Sequence, residues 1–169
     1  SRLGVNQSAA ITCVKPSGTV SQLTDSASGI HPRFSEYYTR TVRADKKDPL
    51  ATAMIEAGFP YEEDVMNASN WVFSFPQKAP NKAVTVESMG AMEQLKLWKV
   101  YQDSWCEHKP SITVYYGADE YMELGAWVWK HFDEVSGVAF LPRLEHTYEQ
   151  APYEEITAEQ YEALRSSMP

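Results

Sequence analysis

The chain has 169 residues, 43% hydrophobic and 22% charged, with a formal net charge of -8. These values suit one globular domain burying about 70% of its unfolded surface and set aside disordered and fibrous classes. The acidic balance excludes a general nucleic-acid surface, and the lack of a long apolar run or signal-peptide pattern makes a soluble, cytoplasmic protein with no membrane partner the expectation.

In chain order, residues 10–14 (AITCV) are β-branched and apolar and predict a short buried strand that Lys15 and Pro16 end. The Gly, Ser, Asp and Pro of TDSASGIHPRFSE, residues 24–36, predict an ordered loop, and EYYTRTVRA after it a strand. Asp48 as N-cap, Pro49 at the first helical position and Gly58 with Pro60 at the close frame a helix over PLATAMIEAG. WVFSF, residues 71–75, predicts a strand stopped by Pro76.

Met89, Met92, Leu95, Trp98, Tyr101 and Trp105 recur every three or four residues and predict a core-facing helix over about 87–105. SITVYY predicts a strand from Ser111. A helix over 119–131 places Tyr121, Leu124, Gly125, Val128 and Phe132 on one stripe, and GVAFL from Gly137 is the next strand. Thr157 with Gln160 forms a capping box for a last helix near 157–166. Strands alternating with helices predict an α/β fold with parallel pairing, whose edges would need further strands to cover them.

Cys13 and Cys106 lie far apart, without metal or redox spacing, and read as reduced, buried thiols. The stretch KPSGTVS, residues 15–21, is the one that most resembles a site. A loop between a strand and a helix offers unpaired backbone N–H groups to an anion; Gly18 permits close approach, and the Ser17, Thr19 and Ser21 hydroxyls add donors. The Walker spacing is absent. Two readings therefore stand on pattern: a strand-ending turn with Ser and Thr caps, or a phosphate cradle.

Four blocks, CVKPSGTVSQL, DSASGIHPRFSEYYTRTVRADKKDPL, WCEHKPSITV and FDEVSGVAFLP with HTYEQAPYEE, together resemble the closing part of the catalytic barrel of adenosylcobalamin-dependent, class II ribonucleotide reductases. The resemblance covers nearly the whole chain in order. It implies residues 1–169 as a single partial catalytic-barrel domain, the C-terminal portion of a ten-stranded α/β barrel. The implied enzyme is an oxidoreductase that reduces ribonucleoside di- or triphosphates to deoxyribonucleotides by thiyl-radical chemistry with adenosylcobalamin. The implied partners are the ribonucleotide substrate, a thioredoxin-type reductant and the remainder of the barrel.

The resemblance also implies that Pro16, Ser17, Gly18 and Thr19 lie where the substrate phosphates bind, with Val20 and Ser21 completing the segment by backbone N–H groups and Lys15 a weaker candidate. The N-P-C-x-E stretch that supplies the radical cysteine and the acid/base glutamate is absent, as is the C-terminal cysteine pair. No catalytic residue and no metal ligand is therefore assigned to this chain, which is expected to be inactive alone. The competing reading is a non-catalytic phospholigand-binding α/β module using the same loop.

Other polar residues read as structural. His31, before Pro32 and Arg33, suits loop hydrogen bonding ahead of a substrate contact, and His108 suits a helix-end cap. His131 and His146 lack partners at metal spacing. Glu62, Glu63 and Asp64, and Glu154 with Glu155, read as solvated faces. The basic run over residues 40–47 is expected to balance neighbouring carboxylates, and the Trp and Tyr residues at helical spacing to lie in the core.

Overall fold

A computed structural model describes residues 2–143 and 149–169 of the chain, so His146 lies outside the described residues. In chain order the elements are α1 (Val20–Leu23), β1 (Tyr37–Asp45), α2 (Pro49–Glu56), β2 (Glu62–Glu63), β3 (Asn70–Lys78), α3 (Ala91–Ser104), β4 (Ile112–Tyr116), α4 (Tyr121–Lys130), β5 (Val138–Pro142), β6 (Tyr153–Glu155) and α5 (Ala158–Ser166). They gather into two compact units, Ser1–Arg33 with Val86–Arg143, and Phe34–Thr85 with Leu144–Pro169.

The second unit is built on a sheet of order β2-β3-β1-β6, antiparallel throughout. Parallel pairing, expected from alternating strands and helices, does not apply here. A crossover helix must lay an apolar face on the sheet, whereas α2 buries only Ala51 and the chain turns back at Gly58, where φ is +92. Asp48 caps α2 as expected, its carboxylate accepting from Leu50 N–H at 2.9 Å. Pro76 lies inside β3 rather than ending it, because β2 covers that edge only at Val72 and Trp71 and leaves the position of the missing N–H open. The core of the unit holds Tyr38, Val72 and Phe73, with Phe34 and Tyr153 stacked beside Tyr38.

The basic run balances carboxylates. Arg43 Nε lies 3.2 Å from Asp64 Oδ2, and Lys46 Nζ lies 2.7 Å from Glu63 while resting over the Trp71 ring. Asp64 is buried, against the solvated-face reading; Met66 N–H, Asn70 and Arg43 replace its water and hold its carboxyl below the usual range, against the effect of burial. The Thr157–Gln160 capping box of α5 is present in both directions.

The first unit carries the parallel pair, β4 with β5, in register from Ile112↔Val138 to Tyr116↔Pro142. Helix α3 packs on it through Leu95 and the fully buried Trp98, whose indole N–H donates to Pro110 C=O at 3.3 Å. The helix starts at Ala91, later than expected, because Gly90 and Glu93 form its N-terminal box and leave Met89 outside.

Two apolar expectations fail in this unit. Residues 10–14 are not a strand: Thr12 and Val14 bond on one side only, to His108 N–H and Ser111 N–H, and Ile11 is 76% exposed with Cys13 also exposed. A strand needs a continuous ladder, and residues 105–111, which face this segment, meet its backbone only at separate points, partly through the Glu107 carboxylate. The predicted stripe of α4 is mostly outside as well, with only Leu124 buried, Tyr121 at 60% and Phe132 at 70% exposure. Trp105, also 60% exposed, departs from the core role expected of the aromatic residues.

Candidate functional site

The predicted loop lies in the first unit, between the extended segment ending at Val14 and the single turn of α1. A one-turn helix has little dipole, so any attraction for an anion must come from individual N–H groups rather than from the helix end. Thr19 stands at the N-cap position with no side-chain cap bond.

Inside the loop, Ser17 and Ser21 satisfy each other. Ser21 N–H donates to Ser17 Oγ at 3.0 Å, and Ser21 Oγ donates to Ser17 C=O at 2.9 Å, with Ser21 buried. Both donors of Ser21 are thereby used within the loop. Among the described residues, the N–H groups of Gly18, Thr19 and Val20 and the Thr19 hydroxyl have no protein partner. All three residues are exposed, and a Cβ placed on Gly18 would meet nothing within 4 Å. The loop thus presents three consecutive free backbone donors beside open space, the chemistry that an oxyanion-rich ligand needs. Pro16, exposed, contributes no N–H and restrains the approach to these donors. The Lys15 side chain points elsewhere: its Nζ donates to Lys109 C=O at 2.8 Å and to Ser111 Oγ at 2.9 Å.

The loop is held from behind by the segment SASGIHPR. Ser28 Oγ accepts from Ser17 N–H at 2.9 Å and donates to Ser17 C=O at 3.0 Å. Gly29, at φ +62, lies so close to the chain that a Cβ there would be 2.8 Å from Lys15 O. His31 Nδ1 contacts Ser28 C=O at 2.7 Å and its Nε2 accepts from Thr113 N–H at 2.8 Å. Burial pushes its pKa below the ordinary 6.5, partly offset by the Ser28 carbonyl. Arg33 is buried and paired with Asp25 at 3.2 Å and with Ser26 C=O at 2.9 Å. These backing residues were grouped in sequence only as an ordered loop; the adjacent Ser28-Gly29 pair, a turn-forming dipeptide, was the available signal.

The remaining histidines stay apart from the loop. His108 is exposed and beyond the end of α3, its N–H donating to Thr12 C=O, so it does not cap that helix. His131 closes α4, stacked on Trp127 and near Glu134. Among the described residues, no group of three or more His, Cys, Asp or Glu is placed to hold a metal ion, and both cysteines are free thiols. Cys106 is half-buried, whereas Cys13 is exposed rather than buried as expected.

No family model matches the chain. An adenosylcobalamin-dependent ribonucleoside-triphosphate reductase of Euglena gracilis is 34% identical over 163 residues, covering 95% of this chain and 22% of its own length. The Lactobacillus acidophilus protein of the same name is 29% identical over 164 residues, with the same coverage. A crystal structure of a B-12 dependent (class II) ribonucleotide reductase superposes with a TM-score of 0.76 at 25% identity, over 92% of this chain and 22% of that one. The chain therefore spans 22% of the length of the curated relatives it matches. The resemblance read from the sequence is borne out, as is the mixed α/β class, which matches part of that reductase fold.

Proposed function

We propose that this chain is a segment of an adenosylcobalamin-dependent ribonucleotide reductase and supplies the loop that binds the phosphates of the ribonucleotide substrate. What carries the reading is the similarity to reductases along 95% of the chain, together with three adjacent free N–H groups at Gly18, Thr19 and Val20. The relatives are named as triphosphate reductases, which favours ribonucleoside triphosphates over diphosphates.

In this reading Pro16, Ser17, Gly18, Thr19, Val20 and Ser21 form the binding segment. Gly18, Thr19 and Val20 donate to phosphate oxygens, while Ser17 and Ser21 hold the loop's shape and Pro16 sets its entry. Adenosylcobalamin supplies the radical when bound to the complete enzyme, and none of the described residues is assigned to holding it. The radical cysteine, the acid/base glutamate and the site for a thioredoxin-type reductant belong to the rest of the protein, so the segment by itself makes no deoxyribonucleotide. The proposed compartment is the cytoplasm.

The first unit has a surface suited to that larger setting. Among the described residues β5 pairs only with β4, and Met122, Trp129 and Phe132 with Phe140 of β5 line an apolar groove of about 570 Å³. Met122 is 79% and Trp129 83% exposed, an apolar patch that the remainder of the barrel would cover.

The test is an assay of the full-length protein that contains this segment, with a ribonucleoside triphosphate, adenosylcobalamin and a dithiol. Formation of the 2′-deoxynucleotide is expected. Nucleotide binding with no reduction under these conditions would favour a phospholigand-binding module instead.

A further inference from the structure

The loop that carries the free donors has little stiffness of its own. It is exposed at Gly18, Thr19 and Val20, and the helix that follows is one turn long. Its position must therefore be imposed from behind, and the contacts that do so form a continuous chain ending on β4.

Thr113 N–H points off the edge of β4 opposite β5, where the sheet has no further strand among the described residues. That donor is satisfied by His31 Nε2 at 2.8 Å. A neutral imidazole has one acceptor and one donor, so an accepting Nε2 puts the proton on Nδ1, which donates to Ser28 C=O at 2.7 Å. Ser28 Oγ in turn grips both the N–H and the C=O of Ser17, and Ser17 closes on Ser21. The charged neighbours are committed elsewhere, Lys15 to Lys109 C=O and Ser111, and Arg33 to Asp25 and Ser26 C=O.

We propose that His31 is a positioning residue for the substrate, fixing the phosphate loop to the edge of β4 through Ser28. The inference rests on reading residues 16–21 as the phosphate loop. The imidazole touches neither substrate nor reacting atoms. It ties the backbone of the loop to the strand, so its loss disorders the three donors while leaving the chemistry of reduction intact. Burial, which disfavours the charged ring, favours the acceptor that Thr113 requires.

The test uses the full-length enzyme with His31→Ala, His31→Asn, His31→Gln and, as a control on the loop, Gly18→Val. Four quantities are read: KM and kcat for the ribonucleoside triphosphate, the inhibition constant of inorganic tripolyphosphate, and Tm. His31→Ala is expected to raise KM and the tripolyphosphate constant about 10-fold, the scale of a lost buried hydrogen bond, with kcat within about 3-fold of wild type. Asn keeps a donor near the Nδ1 position and is expected to recover much of the tripolyphosphate affinity. Gln keeps an acceptor near the Nε2 position but loses the bond to Ser28, and is expected to recover Tm without recovering that affinity.

A tripolyphosphate constant that stays within about 2-fold in His31→Ala, while Gly18→Val raises it, would overturn the role of His31 and leave the loop standing. If Gly18→Val also leaves it unchanged, the loop reading itself fails. Should the Ala variant not fold, equal constants for the Asn and Gln variants would overturn the proposal.

Discussion

Ser28 and Ser17 exchange two hydrogen bonds through a single hydroxyl, Ser28 Oγ accepting from Ser17 N–H at 2.9 Å and donating to Ser17 C=O at 3.0 Å. One side chain thereby fixes both backbone polar groups of a loop residue, immediately ahead of the three amides without a protein partner among the described residues. Ser28→Ala removes both bonds and is expected to lower stability by about 1–2 kcal/mol. A chemical denaturation curve checks this; an unchanged midpoint would mean that the loop is held by other contacts.

Gly18 and Gly29 predict opposite outcomes for the same substitution. Gly29→Ala forces a side chain into φ +62 and against Lys15 O, and should cost at least about 1–2 kcal/mol. Gly18→Ala meets open space at a φ outside the left-handed region and should leave Tm nearly unchanged. Thermal melts of the two variants side by side distinguish them, and equal losses would contradict the backing arrangement.

Gln94 is fully buried on the inner face of α3, donating to Tyr115 C=O and accepting from Tyr115 N–H, each at 3.2 Å, and donating to Met89 C=O at 3.1 Å. Its amide takes the place of a neighbouring strand along β4. Gln94→Met preserves volume but removes these three hydrogen bonds, and is expected to cost about 2–4 kcal/mol. Hydrogen exchange at the Tyr115 amide should accelerate accordingly; unaltered protection there would show that the amide has another acceptor.

Glu120 ties three pieces of the first unit together, accepting from Ala91 N–H and Gly117 N–H at 2.8 Å and from Arg143 at 3.0 Å. Burial opposes its charge, but these donors win and hold its pKa below the ordinary 4.5. The folded-state pKa is depressed, so this carboxylate stabilises fully above 4.5 and progressively less as pH falls through the folded value. Stability measured against pH should therefore decline less steeply on the acid side in Glu120→Gln than in wild type, from a lower starting point. Parallel acid limbs would rule out this linkage.

The elements legible in the sequence are those with local punctuation. Asp48, Pro49 and Gly58 bracket α2, and Thr157 with Gln160 opens α5, because a cap is satisfied within a few residues of itself. Pairing was less legible, since the same order of strands and helices suits a parallel crossover or an antiparallel return; the small buried face of α2 decides the matter only in three dimensions. The apolar runs at residues 10–14 and along α4 read as buried because apolar pattern reports a need for cover, not the location of the cover. At the loop, the residue types announced anion chemistry, whereas Ser28, Gly29 and His31 act through contacts with Ser17, Lys15 and Thr113 that spacing alone does not reveal.

The most direct test of the phosphate loop is the KM of the full-length enzyme for its ribonucleoside triphosphate with Gly18→Val. A Cβ at this position meets no protein atom within 4 Å beyond its chain neighbours, so the branched side chain is expected to spare the fold while it blocks the approach of a phosphate. A rise in KM of more than about 10-fold with Tm close to wild type is the expected result, the scale of losing one or two charge-assisted hydrogen bonds. An unchanged KM would contradict a phosphate-binding role for residues 16–21.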